Sequence, residues 1–177
     1  VDIAARTLLL ARDAIGEKPL YFSETLASGS SQFAFASEIK ALRGLPHIDR
    51  SLNRTALLDF MRFLYTAPPH TLYKGIQELP PGHWLQVDLA TGRSQPPQAF
   101  YSLEASLSYD ETATPQSAAE AFRILFEDSV GLRLVSDAEI GIFLSAGIDS
   151  NAILAAAQSS SRLKGLYTYT LQYASGH

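Results

Sequence analysis

The chain has 177 residues, 46% of them hydrophobic, with 18 acidic against 14 basic side chains and a net charge of −4. That mildly acidic balance, without a basic run, leaves no electrostatic footprint for nucleic acid, and no apolar stretch approaches the roughly 20 residues that span a bilayer. The absence of cysteine excludes disulfides and a thiol nucleophile within the chain. With no signal-peptide layout at the start, the expectation is a globular, cytoplasmic protein without a nucleic-acid or membrane partner.

RTLLLARD (6–13) and PLYF (19–22) read as strands joined by AIGEK, where Gly16 suits a tight reversal. ETLASGSS (24–31) reads as a second turn, and QFAFAS (32–37) as a third strand, so the opening is expected to be an antiparallel meander. EIKALRGL (38–45) reads as a short helix. Asn53 can cap a second helix running to about Leu64, with Leu57, Leu58, Met61 and Leu64 on one stripe and Pro68 and Pro69 beyond its end. A Pro-Pro-Gly turn then leads into a strand in which Leu85, Val87 and Leu89 alternate with polar neighbours, ending at Thr91 and Gly92.

Residues 96–112, rich in Pro, Ser and Tyr and without sustained periodicity, read as a linker between unlike units. Thr114, with Pro115 behind it, starts a helix that carries Ala118, Phe122, Leu125, Phe126 and Ser129 on one face. A strand from Ile140 through Leu144, a helix containing Ala152 to Ala157 and a strand-like LYTYTLQY (166–173) follow. Helix, strand, helix and strand in that order suit the start of an α/β domain with a parallel sheet, whose ligands sit beyond the carboxyl ends of the strands.

SAGIDS (145–150) occupies such an end. Ser145, Ala146 and Gly147 leave the backbone little covered, while Asp149 and Ser150 are good N-cap residues. The first amides of the following helix have no partners within it and favour phosphate oxygens. No Lys follows Gly147, so the turn is not a Walker P-loop. It is similar to the Ser-Gly-Gly-x-Asp-Ser loop of ATP pyrophosphatases; an ordinary strand-to-helix turn with a polar cap is the alternative. Ser145 lacks the Gly-x-Ser-x-Gly setting of a hydrolase nucleophile. His47, His70, His83 and His177 lack the spacing of a metal centre, so no zinc is expected. Asp137 and Glu139 read as solvated turn charges.

Four segments, ARDAIGEKPLYF (11–22), FASEIKAL (35–42), TLYKGIQELPPGHWL (71–85) and VSDAEIGIFLSAGIDSNAILA (135–155), together resemble the glutamine-hydrolysing asparagine synthetase family in order and spacing. The fold class this implies is α+β followed by α/β. Residues 1–95 would be the closing part of an N-terminal-nucleophile glutaminase β-sandwich, a class II glutamine amidotransferase domain. Residues 96–112 would be the linker, and residues 113–177 the start of a parallel-sheet ATP pyrophosphatase domain.

The resemblance implies a ligase. ATP adenylates the aspartate side chain to β-aspartyl-AMP with release of pyrophosphate, and ammonia from glutamine, passed through an internal tunnel, forms asparagine. ATP, aspartate and glutamine are the implied substrates, magnesium accompanies ATP, and a homodimer is among the assemblies open to the protein. By resemblance Ser145, Ala146, Gly147, Ile148, Asp149 and Ser150 form the pyrophosphate loop, Leu144 borders the nucleotide, Leu171 lies near adenine and Asp149 helps hold magnesium.

The family's glutaminase nucleophile is a leading cysteine, whereas residue 1 here is Val. The glutamine-binding stretch is expected upstream, both ends read as cut, and residues 1–177 alone are expected to be inactive. Arg12 and Asp13 are assigned to folding and domain contact rather than to chemistry, through a buried ion pair of Arg12 or Asp13. Two positions depart from the family pattern. Ala146 stands where glycine is usual, which would cost on the order of 1 kcal/mol if that backbone needs positive φ; Asn151 stands where serine is common. A diverged amidotransferase or cyclising synthetase acting on another carboxylate, and a non-catalytic nucleotide-binding scaffold, are the alternatives.

Overall fold

The computed structural model describes residues 1–27, 30–160 and 165–172. The chain divides into two compact units, Val1–Ser108 and Tyr109–His177.

The first unit is built on two antiparallel sheets. In one, β5 (His83–Asp88) is central: β1 (Thr7–Ala11) lies along one edge, and the short β6 (Arg93–Ser94) and β7 (Gln98–Ala99) share the other. The register pairs Leu10 with Leu85 and Leu8 with Val87, so strand alternation turns all four to one face while Leu9 is exposed on the other. The second sheet has the order β3-β2-β4, from β2 (Tyr21–Ala27), β3 (Ser30–Ala36) and β4 (Gln77–Glu78). Phe22 and Phe33 stack across β2 and β3 with ring centroids 5.9 Å apart.

The two sheets contribute to one core, in which Leu10, Leu85 and Val87 of the first meet Phe22 and Leu79, with Phe33 packed alongside. Each such side chain contributes about 1.5–3 kcal/mol by leaving water. The other face of the second sheet is covered by α1 (Ile39–Arg43), whose Leu42 packs with Ile48 and Ile76 against Tyr21, Ala34 and Ala36.

The expected meander is corrected. β2 and β3 form a hairpin, but β1 pairs with β5, not with β2. Residues 12–20 are wound into a turn of their own instead of a short reversal. The Asp13 carboxylate accepts the amides of Ile15, Gly16 and Glu17 at 3.1, 2.6 and 3.0 Å, Gly16 takes φ +75°, and Asp13 O receives the amide of Gly82. The turn expected at 24–31 is narrower too, since Ala27 and Ser30 are already paired; Ser28 and Gly29 lie outside the described residues.

Asn53 caps α2 (Arg54–Phe63) by accepting the amide of Ala56 at 3.3 Å. The anticipated apolar stripe of this helix is not buried within the unit: Leu58 and Met61 are exposed, and Leu64 is no helical residue but the C-cap, at φ 63°. Leu89 falls just beyond β5 and is exposed. Within 96–112 the chain carries β7 and one helical turn, α3 (Leu103–Ser106), capped by Ser102.

In the second unit Thr114 caps α4 (Pro115–Arg133), with Pro at the first turn and a reciprocal bond to Ser117. α5 (Ile148–Ser159) packs against α4, and β8 (Ile140–Phe143) lies parallel to β9 (Leu166–Tyr169), giving a β8-α5-β9 unit. On the apolar face of α4, Phe122 and Leu125 are exposed, while Gly131 near its end is buried. β8 is likewise not a buried strand on both sides: Phe143 is 87% exposed. β9 stops at Tyr169, and Tyr173 and His177 lie outside the described residues.

Candidate functional site

β8 and β9 run in the same direction in the register Phe143↔Tyr169, so the residues that follow them emerge together at one end. Leu144 follows β8 and donates its amide to Tyr169 O at 2.8 Å, while Thr170 Oγ1 donates to Leu144 O at 3.0 Å. These two bonds bring Leu144 and the segment leading to exposed Leu171 to the same edge. Behind them, Gly141 leaves room for the Tyr169 ring, which a Cβ there would meet at 2.6 Å.

SAGIDS connects β8 to α5. The N-cap is Gly147, with φ −72° and ψ 150° and no capping side chain, so α5 begins at Ile148. This corrects the expectation that Asp149 or Ser150 would be the cap: both lie inside the first turn. The reason is a competing set of loop bonds. Ser150 Oγ folds back to within 3.0 Å of Ser145 Oγ and accepts the Ser145 amide at 3.2 Å, while Ser145 Oγ accepts the Gly147 amide at 3.1 Å. With its hydroxyl engaged there, Ser150 is fixed as a first-turn residue.

Asn151, one turn into the helix, donates its side-chain amide to Ser145 O at 3.1 Å and to Gly147 O at 2.8 Å. Neither this residue nor Thr170 was singled out for the site from sequence. The signal available was an amide side chain four residues after the last glycine of the turn, where a helix brings it back over the loop.

The arrangement leaves an anion-receptive surface. The amides of Ile148, Asp149 and Ser150 are the first of α5 and have no acceptor within the helix. Their dipoles add at the helix start, where an acidic side chain such as Asp149 is itself stabilised. Ala146 is not in the left-handed region, which among the described non-glycine residues is occupied by Arg6 and Leu64. The steric condition that would have made alanine costly at this position is therefore not met.

Other polar groups fall elsewhere. Asp137 and Glu139 line a cavity of about 830 Å³ with Leu134, Ile140 and Tyr167, and Tyr167 Oη donates to Glu139 at 3.2 Å. That cavity lies by the amino ends of β8 and β9, the end opposite to that at which parallel sheets bind ligands. His83 Nδ1 is 2.7 Å from Pro81 O, and among the described residues no three His, Asp or Glu gather around a point one metal ion could occupy.

In the first unit Arg12 is the buried hub. Its guanidinium donates to Glu78 Oε1 and Leu79 O, both at 2.7 Å, to Lys18 O at 3.0 Å and to Gly16 O at 3.1 Å. The expected ion pair thus exists for Arg12, whereas Asp13 serves backbone amides.

Residues 1–101 match the glutamine amidotransferase domain family, and residues 121–177 match the asparagine synthase family. The chain is similar to asparagine synthetase [glutamine-hydrolyzing] 2 of Bacillus subtilis (strain 168), 36% identical over 172 residues that cover 93% of this chain and 22% of that protein. It is also similar to asparagine synthetase [glutamine-hydrolyzing] 3 of the same organism, 35% identical over 182 residues covering 97% and 27%. A third relative, asparagine synthetase [glutamine-hydrolyzing] of Cricetulus griseus, is 32% identical over 177 residues covering 98% and 28%. The chain thus spans about a quarter of the length of these curated relatives.

Proposed function

We propose, because the chain belongs to the family of glutamine-hydrolysing asparagine synthetases, that the whole protein is an ATP-dependent amide-forming ligase that makes asparagine. In this reading residues 1–95 close the glutamine amidotransferase domain, 96–112 connect, and 113–177 open the synthetase domain. The observation that carries it is the β8–SAGIDS–α5 junction, an anion-receptive helix start at the carboxyl end of a parallel strand.

The chemistry follows from the leaving groups. A carboxylate oxygen of aspartate attacks the α-phosphorus of ATP, the bond to pyrophosphate breaks, and β-aspartyl-AMP forms. The nitrogen lone pair of ammonia then attacks the acyl carbon and AMP leaves with the bonding electrons, giving asparagine after proton loss. The role of Ser145 to Ser150 is to receive the β- and γ-phosphates and the departing pyrophosphate on the free amides of Ile148, Asp149 and Ser150. Leu144 and Leu171, at the adjoining strand ends, would border the nucleoside.

Asp149 fits a magnesium role on chemical grounds. An exposed carboxylate in the first turn of a phosphate-receiving helix repels a polyanion unless a cation lies between them, and magnesium is commonly held by one or two carboxylates plus substrate phosphates. Magnesium would supply charge neutralisation at the pyrophosphate. The glutaminase nucleophile is not in this chain, which has no cysteine.

Incubating the full-length protein with aspartate, magnesium and ATP should release pyrophosphate and leave β-aspartyl-AMP, and adding ammonia or glutamine should yield asparagine together with AMP in an amount equal to the pyrophosphate. Failure to release pyrophosphate in an aspartate-dependent manner would overturn the proposal.

A further inference from the structure

We infer that Asn151 is a positioning residue for the nucleotide loop, turning the carbonyls of Ser145 and Gly147 away from incoming phosphate; the inference rests on the ligase reading of SAGIDS given above. A proton count carries it. Ser150 Oγ lies within hydrogen-bonding distance of three acceptors, Ser145 O at 3.3 Å, Gly147 O at 3.1 Å and Ser145 Oγ at 3.0 Å, but a hydroxyl has one proton. It can hold one carbonyl at a time. The Asn151 amide has two protons and spends them on both carbonyls at once, at 3.1 and 2.8 Å. Its orientation is fixed by those partners, because the flipped amide would set its oxygen against two carbonyl oxygens.

The consequence is electrostatic. A loop that receives a polyanion needs its amides outward and its carbonyl oxygens elsewhere. The two carbonyls that flank Ala146 are pinned toward the side chain of α5, and the peptide between them is held outside the left-handed region. Gly147 O also receives the backbone amide of residue 151 at 3.4 Å, so a serine at 151, with its single side-chain proton, would leave Ser145 O to Ser150 alone whenever it turned to Gly147 O.

The test uses the full-length protein with Asn151→Ala, Asn151→Ser and the isosteric Asn151→Asp, which offers oxygens where donors are needed. Amide exchange read by mass spectrometry, with no ligand added, should accelerate over 144–151 in Asn151→Ala while the remainder of α5 and β8 keeps its protection. In aspartate-dependent pyrophosphate release, KM for ATP should rise about tenfold in Asn151→Ala and further in Asn151→Asp, with kcat at saturating ATP changing less, the scale expected for losing two neutral hydrogen bonds. Asn151→Ser should fall between, and carries the test if Asn151→Ala fails to fold. Unchanged exchange over 144–151 overturns the inference whatever the activity, as does faster exchange with KM unchanged. Faster exchange in a protein whose parent form shows no aspartate-dependent pyrophosphate release sinks the ligase reading, and the nucleotide role of Asn151 with it.

Discussion

Arg12 and Glu78 meet at 2.7 Å, with their side chains only 8% and 13% exposed. The same guanidinium satisfies three backbone carbonyls, so Arg12→Ala leaves a nearly buried carboxylate and several acceptors without donors. Its expected cost is about 3–5 kcal/mol in denaturant unfolding. Glu78→Gln keeps an acceptor for Arg12 and should cost less. A loss below about 1 kcal/mol for Arg12→Ala would show that the hub is dispensable.

Asp13 contributes to the acid dependence, alongside Glu24, Asp49, Asp110 and Glu120, whose carboxyls are also held low. The amide of Glu17 foremost, with those of Gly16, Lys18 and Ile15, holds the Asp13 carboxyl below the ordinary value of 3.8. A depressed folded value means that the contribution is fully present above the unfolded value, and is lost as pH falls from there through the folded one. Asp13→Asn should therefore be less stable than the parent at neutral pH, with the two unfolding curves converging below pH 3.8. A difference that is constant from neutral pH into acid would exclude the carboxylate as its source.

Ala146→Gly tests the departure from the glycine pattern. Because Ala146 does not adopt positive φ, glycine relieves no strain and adds freedom to the unfolded chain, so the variant should lose about 0.4–1 kcal/mol in equilibrium unfolding. Its affinity for ATP in the full-length protein should stay within about twofold, since less than 0.5 kcal/mol is at stake. A severalfold tighter KM would show instead that the methyl group crowds the phosphates.

Leu64 is the opposite case. It is exposed and sits at φ 63° at the end of α2, where a Cβ is unfavourable by about 1–2 kcal/mol. Leu64→Gly should raise the unfolding midpoint, with a net gain on the order of 1 kcal/mol after the greater entropy of unfolded glycine is counted. An unchanged or lower midpoint would mean that the leucine side chain holds a contact worth more than the strain.

Local chemistry was readable from sequence where the cause was local. Thr114 and Asn53 cap their helices because an oxygen two or three bonds from Cα reaches the third amide onward, and the alternation of Leu8, Leu10, Leu85 and Val87 follows from strand geometry. The partner of β1 was not readable, because pairing is a contest between distant segments and the turn after Arg12 conceals its own bonds to Asp13. The start of α5 was missed for a related reason. Ser150 has the composition of a cap, but Ser145 captures its hydroxyl, and Asn151 closes the loop from a position that composition alone does not mark. Phe122 and Phe143 are exposed, and residue type does not say whether a neighbour is present to cover such side chains.

The pairing of β1 with β5 also sets an order of events in folding. Leu10 must find Leu85, and Arg12 must find Leu79, 67 positions away, whereas the β2–β3 hairpin closes locally. Closing a loop of that length before any contact rewards it is entropically costly, so the hairpin and α1 should form early and the first strand should wait for the fifth. The residues of β1 would then gain protection after the hairpin, and a chain synthesised only as far as β4 would carry β1 without its β5 partner.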